Sequence, residues 1–294
     1  MSSNIIGMKY SLGIIGNGFV GKATSVLQSK DIQLLLYDVN PELCSPPDAT
    51  IEYLCSNCDV IFISVPTPMK EDGSYYLNIV GDVVQEVSKH ADLNKKHVVL
   101  RSTVTPGVSD SFNCFFMPEF LTEKNFVNDF KTNPNWIFGL KQHNKVQNDN
   151  FSDLMSKIMT CAKDNNCIES DNCIFVSNEE AEMTKLFRNN FLAIKVAFCN
   201  EISEYCETKG INYENVRRIA TLDPRIGPGH TRVPGHDGYK GFGGTCFPKD
   251  TNALRADMKQ QDMKSYVIDA AITRNEKIDR PEKDWNFNKG RAVV

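Results

Sequence analysis

The stretch Gly241-Phe-Gly-Gly-Thr-Cys246-Phe-Pro-Lys-Asp250 gathers a thiol, a cation and a carboxylate in one short loop. Its glycines expose backbone N–H groups and let a ligand approach closely. Lys249 supplies nearby positive charge, the setting that favours a thiolate at Cys246. Asp250, four residues after Cys246, falls one helical turn away and is a candidate base. The chemistry this set suggests is nucleophilic addition by sulfur. A buried structural cysteine in a tight turn is the other reading the same residues allow.

A second cluster is Gly16-Asn-Gly18-Phe19-Val20-Gly21. An apolar run, Tyr10–Ile15, precedes it, a helix-compatible run, Lys22–Ser29, follows, and Asp38 ends the next apolar run. That context makes GxGxxG a dinucleotide signature. Gly16 allows the tight turn, Gly18 lets a pyrophosphate approach the backbone, and Gly21 lets helix and strand pack closely. Asp38 would bind the ribose diol and repel a 2′-phosphate, so NAD is favoured over NADP. A cysteine beside such a site has a defined use: the thiolate adds to an aldehyde, the hemithioacetal loses hydride, and the thioester is hydrolysed.

The elements that must position these groups read as follows. Further apolar runs occur at Gln33–Tyr37, Val60–Val65, His97–Leu100, Cys114–Met117, Trp136–Leu140 and Cys173–Val176, with helix-compatible segments such as Leu77–His90 between them. Strands alternating with helices predict a parallel sheet covered on both faces. Val65-Pro-Thr67-Pro68 and Ser102-Thr103-Val-Thr-Pro-Gly107 follow two of the strands, on the side where such sheets bind ligands. From Asn178 to Lys209 there is neither Gly nor Pro, Ser177-Asn-Glu-Glu180 is a capping box, and Gly210 is a stop signal. One long helix is therefore predicted, joining two domains (1–177 and 178–294) or forming a dimer seam. A Gly/Pro-rich loop, Pro224–Gly244, and more helical sequence come next, and the polar stretch Glu282–Val294 is expected to fray.

The bulk properties narrow the function. The 294 residues, 41% hydrophobic and 24% charged, are ordinary for a folded chain of about two domains. A net charge of −4 gives no electrostatic footprint for nucleic acid or an anionic membrane. No apolar run nears the roughly 18 residues of a membrane helix, and the start carries no secretory pattern. Together with ten cysteines read as reduced thiols, this predicts a soluble, cytoplasmic protein. Cys55 and Cys58 form one CxxC pair, too few ligands for a structural zinc site, so no metal is predicted.

The chain resembles the UDP-glucose/GDP-mannose dehydrogenase family. The likeness rests on Gly16–Gly21, Asp38, VPTP at Val65–Pro68, STVTPG at Ser102–Gly107 and PEFL at Pro118–Leu121. It continues through NNFLAIKVAFCNE at Asn189–Glu201, RIG at Arg225–Gly227 and GFGGTCFPKD at Gly241–Asp250. The resemblance implies an α/β fold: an N-terminal Rossmann-like NAD-binding domain, a long connecting helix and a smaller helical dimerisation domain. It implies NAD-dependent, two-step oxidation of a sugar nucleotide at C6, UDP-glucose first, with GDP-mannose or a UDP-amino sugar as alternatives. A degenerate NAD-binding protein without turnover is the remaining alternative.

By the same resemblance Cys246 is the nucleophile and Asp250 its partner in handling water, while Lys195 and Asn200 stabilise the C6 oxyanion. Glu119 with Thr103 is the acid–base group. Gly16, Gly18, Phe19, Val20, Gly21, Asp38, Val65, Thr67, Ser102, Thr103 and Glu123 line the cofactor. Phe120, Leu121, Glu123, Lys195, Asn200, Phe242, Gly243 and Lys249 lie near the sugar nucleotide. Arg225 reaches a neighbouring subunit's site, which implies a homodimer. Lys195 and Asn200 are five apart, about 140° around a regular helix, so spacing alone does not join them. Family members usually carry a second α/β domain that grips the nucleotide, whereas this sequence ends 44 residues after Asp250.

Overall fold

A computed structural model describes residues 8–294, so the reading of the first residues as lacking a leader falls partly outside the described residues. The chain folds as two compact units, 1–66 with 77–185, and 67–76 with 186–294. The first unit does not end at 177 as expected, because the first two turns of the long helix pack with it. The segment 67–76, which follows a strand of the first unit, belongs to the second.

The first unit is built on seven strands. They are β1 (Tyr10–Ile15), β2 (Ile32–Tyr37), β3 (Val60–Ile63), β4 (His97–Leu100), β5 (Phe115–Phe116), β6 (Trp136–Leu140) and β7 (Cys173–Ser177). Their order in the sheet is β2-β1-β3-β4-β5-β6-β7. Every pairing is parallel except β5 with β6, where Phe116 meets Gly139 antiparallel. Helices α1 (Phe19–Thr24), α2 (Ile51–Asn57), α3 (Asn78–His90), α4 (Val108–Ser111), α5 (Phe126–Lys131) and α6 (Lys145–Asp164) fill the connections. A parallel strand with both faces covered must be apolar on both. Accordingly Leu12, Ile14, Leu34, Leu36 and Phe62 join one buried cluster, while Ile15, Leu35, Ile61 and Ile63 join the other.

Cys55 and Cys58 belong to that second cluster, and burial pushes the Cys58 thiol up to about 12. Their spacing thus serves packing within α2 and the turn after it. Among the described residues no group of three or more His, Cys, Asp or Glu side chains could hold a metal ion. Nor is any helix among them long and apolar enough to cross a membrane.

Helix α7 runs Asn178–Lys209, the bounds its end signals predict. Ser177 N–H donates to Glu180 Oε2 at 2.8 Å, and Glu180 N–H donates back to Ser177 Oγ at 3.2 Å, a reciprocal capping box. At the far end Gly210 takes φ +68°, and Ile211 N–H reaches Cys206 O at 2.8 Å, closing the last carbonyls.

From Leu186 the helix belongs to the second unit, with α8 (Tyr213–Ala220), α9 (Phe247–Gln260) and α10 (Tyr266–Arg274). Ala193, Ala197, Phe242 and Ala271 form its small core. The tail does not fray. Trp285 and Ala292 are buried, Met69 N–H donates to Ala292 O at 2.8 Å, and Val294 N–H donates to Met69 O at 3.1 Å. The polar residues of that stretch face solvent, while these two apolar side chains and the backbone anchor it.

Candidate functional site

The turn after β1 lies beside Asp38 because β1 and β2 pair in register, Ile15 opposite Tyr37. Asp38 Oδ2 accepts from Asn17 N–H at 2.7 Å, and Oδ1 accepts from Asn40 N–H at 2.9 Å. The three glycines have separable reasons. Gly16 takes φ +91°, and a Cβ there would stand 2.6 Å from Ser64 O. A Cβ at Gly21 would run into Gly16 O. Gly18 has an ordinary negative φ, −71°, and open space around the Cβ it lacks. Folding therefore explains Gly16 and Gly21. Packing does not explain Gly18, which leaves open space at the turn where a side chain would stand.

Phe19 sets its ring edge-on to Phe126 at 6.5 Å, and Val20 O accepts from Thr24 Oγ1 at 2.9 Å. Ser102 Oγ donates to Val65 O at 2.7 Å, which ties together the ends of β3 and β4. Thr103 is buried beside Ser102. Thr67 is buried too, but in the second unit.

Glu119, also buried, follows β5. Its Oε1 accepts from Lys185 Nζ at 2.6 Å and its Oε2 from Leu121 N–H at 2.9 Å. Phe120 is half-buried with Lys185 Nζ 6.0 Å from its ring centre, and Glu123 is exposed. Arg101, at the end of β4, is a buried cation that hydrogen-bonds Thr24 Oγ1. Burial lowers its guanidinium to about 10, opposed by the Glu119 charge. Glu182 on α7 accepts from Gly107 N–H at 2.6 Å and Ser109 N–H at 2.8 Å, so α7 holds the end of the Ser102–Gly107 loop.

In the second unit Cys246 is the N-cap of α9, with Pro248 in the first turn. Asp250 N–H donates to Cys246 O at 2.9 Å, which puts the carboxylate one turn beyond the thiol. Asp250 is fully buried. Its Oδ1 accepts from Lys249 Nζ at 2.6 Å and Tyr75 OH at 2.7 Å, and its Oδ2 from Asn189 Nδ2 at 2.6 Å. The loop before Cys246 is held by a π-helical turn, Asn275–Asp279, that continues α10. Asn275 Oδ1 accepts from Phe242 N–H at 2.7 Å, and its Nδ2 donates to Phe242 O at 2.8 Å. A Cβ on Gly243 would land on the buried Arg280 guanidinium.

Lys195 and Asn200 both meet backbone groups. Lys195 Nζ donates to Ile226 O at 2.7 Å and Gly227 O at 3.2 Å. Asn200 donates to Val196 O at 2.9 Å and accepts from Gly241 N–H at 3.1 Å. Both brace loops. The amide on Asp250 is Asn189 and the ammonium on Glu119 is Lys185, and these two are four apart on α7, the spacing of one helix face. Arg225 is exposed and pairs with Asp223 at 2.6 Å. Sequence reasoning missed Lys185, Asn189 and Tyr75. A signal for the first two was present: a Lys and an Asn one turn apart near the start of the helix.

Comparison with known proteins bears on this geometry. The chain matches the UDP-glucose/GDP-mannose dehydrogenase family in its NAD binding domain over residues 48–160 and in its central domain over residues 179–277. It is 33% identical over 231 residues to a UDP-glucose 6-dehydrogenase of Rickettsia bellii, covering 74% of this chain and 49% of that protein. The enzyme of the same name from Rickettsia prowazekii is 35% identical over 232 residues, with the same coverage of each. Among solved structures, a UDP-glucose dehydrogenase from Pyrobaculum islandicum superposes with a TM-score of 0.78 at 23% identity, covering 94% of this chain and 70% of that one. A GDP-mannose dehydrogenase from Pseudomonas aeruginosa gives 0.62 at 22% identity, covering 90% and 68%.

The chain belongs to the UDP-glucose/GDP-mannose dehydrogenase family, and its cofactor is NAD. It spans about half the length of the curated relatives it matches, at 49%.

Proposed function

We propose that this protein is an NAD-dependent UDP-glucose 6-dehydrogenase that oxidises C6 of the glucose to a carboxylate, giving UDP-glucuronate. The observation that carries the reading is the Cys246–Asp250 pair, a thiol at a helix N-cap with a gripped carboxylate one turn later. The N-cap sets the sulfur at the positive end of α9, where an anion is stabilised. Glu119, with Thr103 beside the β4 end, takes the proton of the C6 hydroxyl in the first oxidation. Cys246 sulfur adds to the resulting aldehyde, and the thiohemiacetal becomes a thioester. Asp250 helps to hold the water that cleaves that thioester and returns the thiol. We assign the C6 oxyanion to Lys185 and Asn189 in place of Lys195 and Asn200; the support is that the first two bond the carboxylates of Glu119 and Asp250, while the second two bond only backbone groups. NAD, when bound, would supply the hydride acceptor, one molecule for each of the two oxidations, and the sum is one alcohol and one water converted to a carboxylate with release of three protons.

A homodimer completes the proposal. Phe187, Phe191 and Phe198 of α7 are 57–63% exposed, and Leu222 just after α8 is 78% exposed. A second copy covering the exposed phenylalanines is the partner whose site Arg225 would reach.

The test is to count NADH per UDP-glucose consumed, with Cys246→Ala as control. Two NADH per UDP-glucuronate, lost in the variant, is the expected outcome. No NADH while NAD still binds would replace this reading with that of a binding protein. NADH with GDP-mannose or a UDP-amino sugar, and none with UDP-glucose, would move the substrate.

A further inference from the structure

We infer that Tyr75 is a positioning residue for the Cys246 chemistry, acting through Asp250; the inference rests on the reading of this site as a dehydrogenase centre. The segment 67–76 is a built tongue. Met69 and Tyr75 form an antiparallel bridge, Tyr76 N–H returns to Pro68 O at 2.8 Å, and Lys70 N–H bonds Ser74 O at 2.8 Å around Gly73 at φ +87°. The tail staples its base through Met69 on both backbone groups. A turn built and stapled in this way holds its side chains in one place, and its large buried side chain is Tyr75, 5% exposed.

The phenol donates to Asp250 Oδ1 at 2.7 Å, the oxygen that also receives Lys249, while Lys249 Nζ lies 4.9 Å from the centre of the Tyr75 ring. Tyrosine, ammonium and carboxylate thus form a closed set in which each member contacts the other two. Burial first, then the Asp250 charge and the Cys246 sulfur, push the Tyr75 phenol well above its usual range. It therefore stays a donor at every working pH. A donor on a carboxylate favours the ionised form and fixes its rotamer. The phenol accordingly holds Asp250 as an oriented anion that leaves Lys249 only part of one oxygen.

Tyr75→Phe in the full chain removes the hydrogen bond and keeps the ring under Lys249. The expected result is kcat lowered by about tenfold, with KM for the sugar nucleotide changed by less than about twofold. The acid limb of the pH–kcat profile should move to higher pH, because Asp250 has lost a donor to its anion. In an Asp250→Asn background the same change should add less than about twofold, since Tyr75 then has no carboxylate to act on. Fully additive losses, or a lowered Tm with an unmoved pH profile, would make Tyr75 purely structural and overturn the inference. Alkylation of Cys246, followed on its own peptide by mass spectrometry across pH, gives a readout that needs no turnover. Its midpoint should rise in Tyr75→Phe. If the wild type makes no NADH from any sugar nucleotide, the dehydrogenase reading fails, while a raised midpoint still supports the Tyr75–Asp250 link and an unmoved one still overturns it.

Discussion

Gly16 and Gly18 stand two residues apart and answer to different forces. At Gly16 the backbone is left-handed and a Cβ would strike Ser64 O, so Gly16→Ala should cost about 3 kcal/mol of stability. At Gly18 neither restraint exists, and Gly18→Ala should cost no more than ~1 kcal/mol through the helix cap. Its NAD affinity should nonetheless weaken by at least about tenfold, because the methyl group fills the approach to the turn. Denaturant melts of both variants beside an NAD titration check this; equal losses of stability at the two positions would refute it. The same scale explains what was legible in the sequence. Gly16, Gly18, Gly21 and the Cys246–Asp250 pair are local patterns, read from neighbours along the chain. Asn189 and Lys185 take their meaning from partners 61 and 66 residues away, and Tyr75 from one 175 away. The loop groups that Lys195 and Asn200 meet, at Ile226, Gly227 and Gly241, lie 31 to 41 residues away, a proximity no spacing reveals.

Among elements, α7 was the most legible, because its start and stop signals are both local. The reversed direction of β6 was not, since an apolar run carries no sign of which way it pairs. Glu182 gives α7 a measurable pH response. Burial pushes its carboxyl up to about 7, against the pull of the Ser109 and Gly107 N–H groups, with Asp110 adding to the rise. A carboxyl raised in the folded state favours folding below its unfolded value near 4.5 and loses that contribution as pH climbs through 7. Wild-type stability should therefore fall between about pH 5 and pH 7, by up to ~3 kcal/mol. Glu182→Gln should flatten that slope, at the cost of one acceptor for Gly107 or Ser109. Urea melts at several pH values would show it, and an unchanged slope would count against this assignment.

At the scale of the whole molecule, the exposed phenylalanines of α7 predict self-association. Sedimentation should give a dimer, and Phe191→Glu with Phe198→Glu should give a monomer; a wild type that stays monomeric at high concentration would remove the shared role of Arg225. The change of composition near Ser177 suggests a division of the chain but gives no sign that 67–76 groups with 186–294, because that segment looks in sequence like any loop after a strand. That interleaving governs how the molecule can be made and cut. The chain passes from one unit to the other after Pro66, after Tyr76 and after Lys185, so neither unit is one continuous piece of polypeptide. On a ribosome the tongue emerges more than a hundred residues ahead of the helix it must hold, and contacts of that range close late. A fragment beginning at 178 would fold, if at all, around an Asp250 without its phenol. Exchange of the second unit between related proteins would have to carry two separate stretches at once, and splicing at the foot of the long helix would leave the tongue behind.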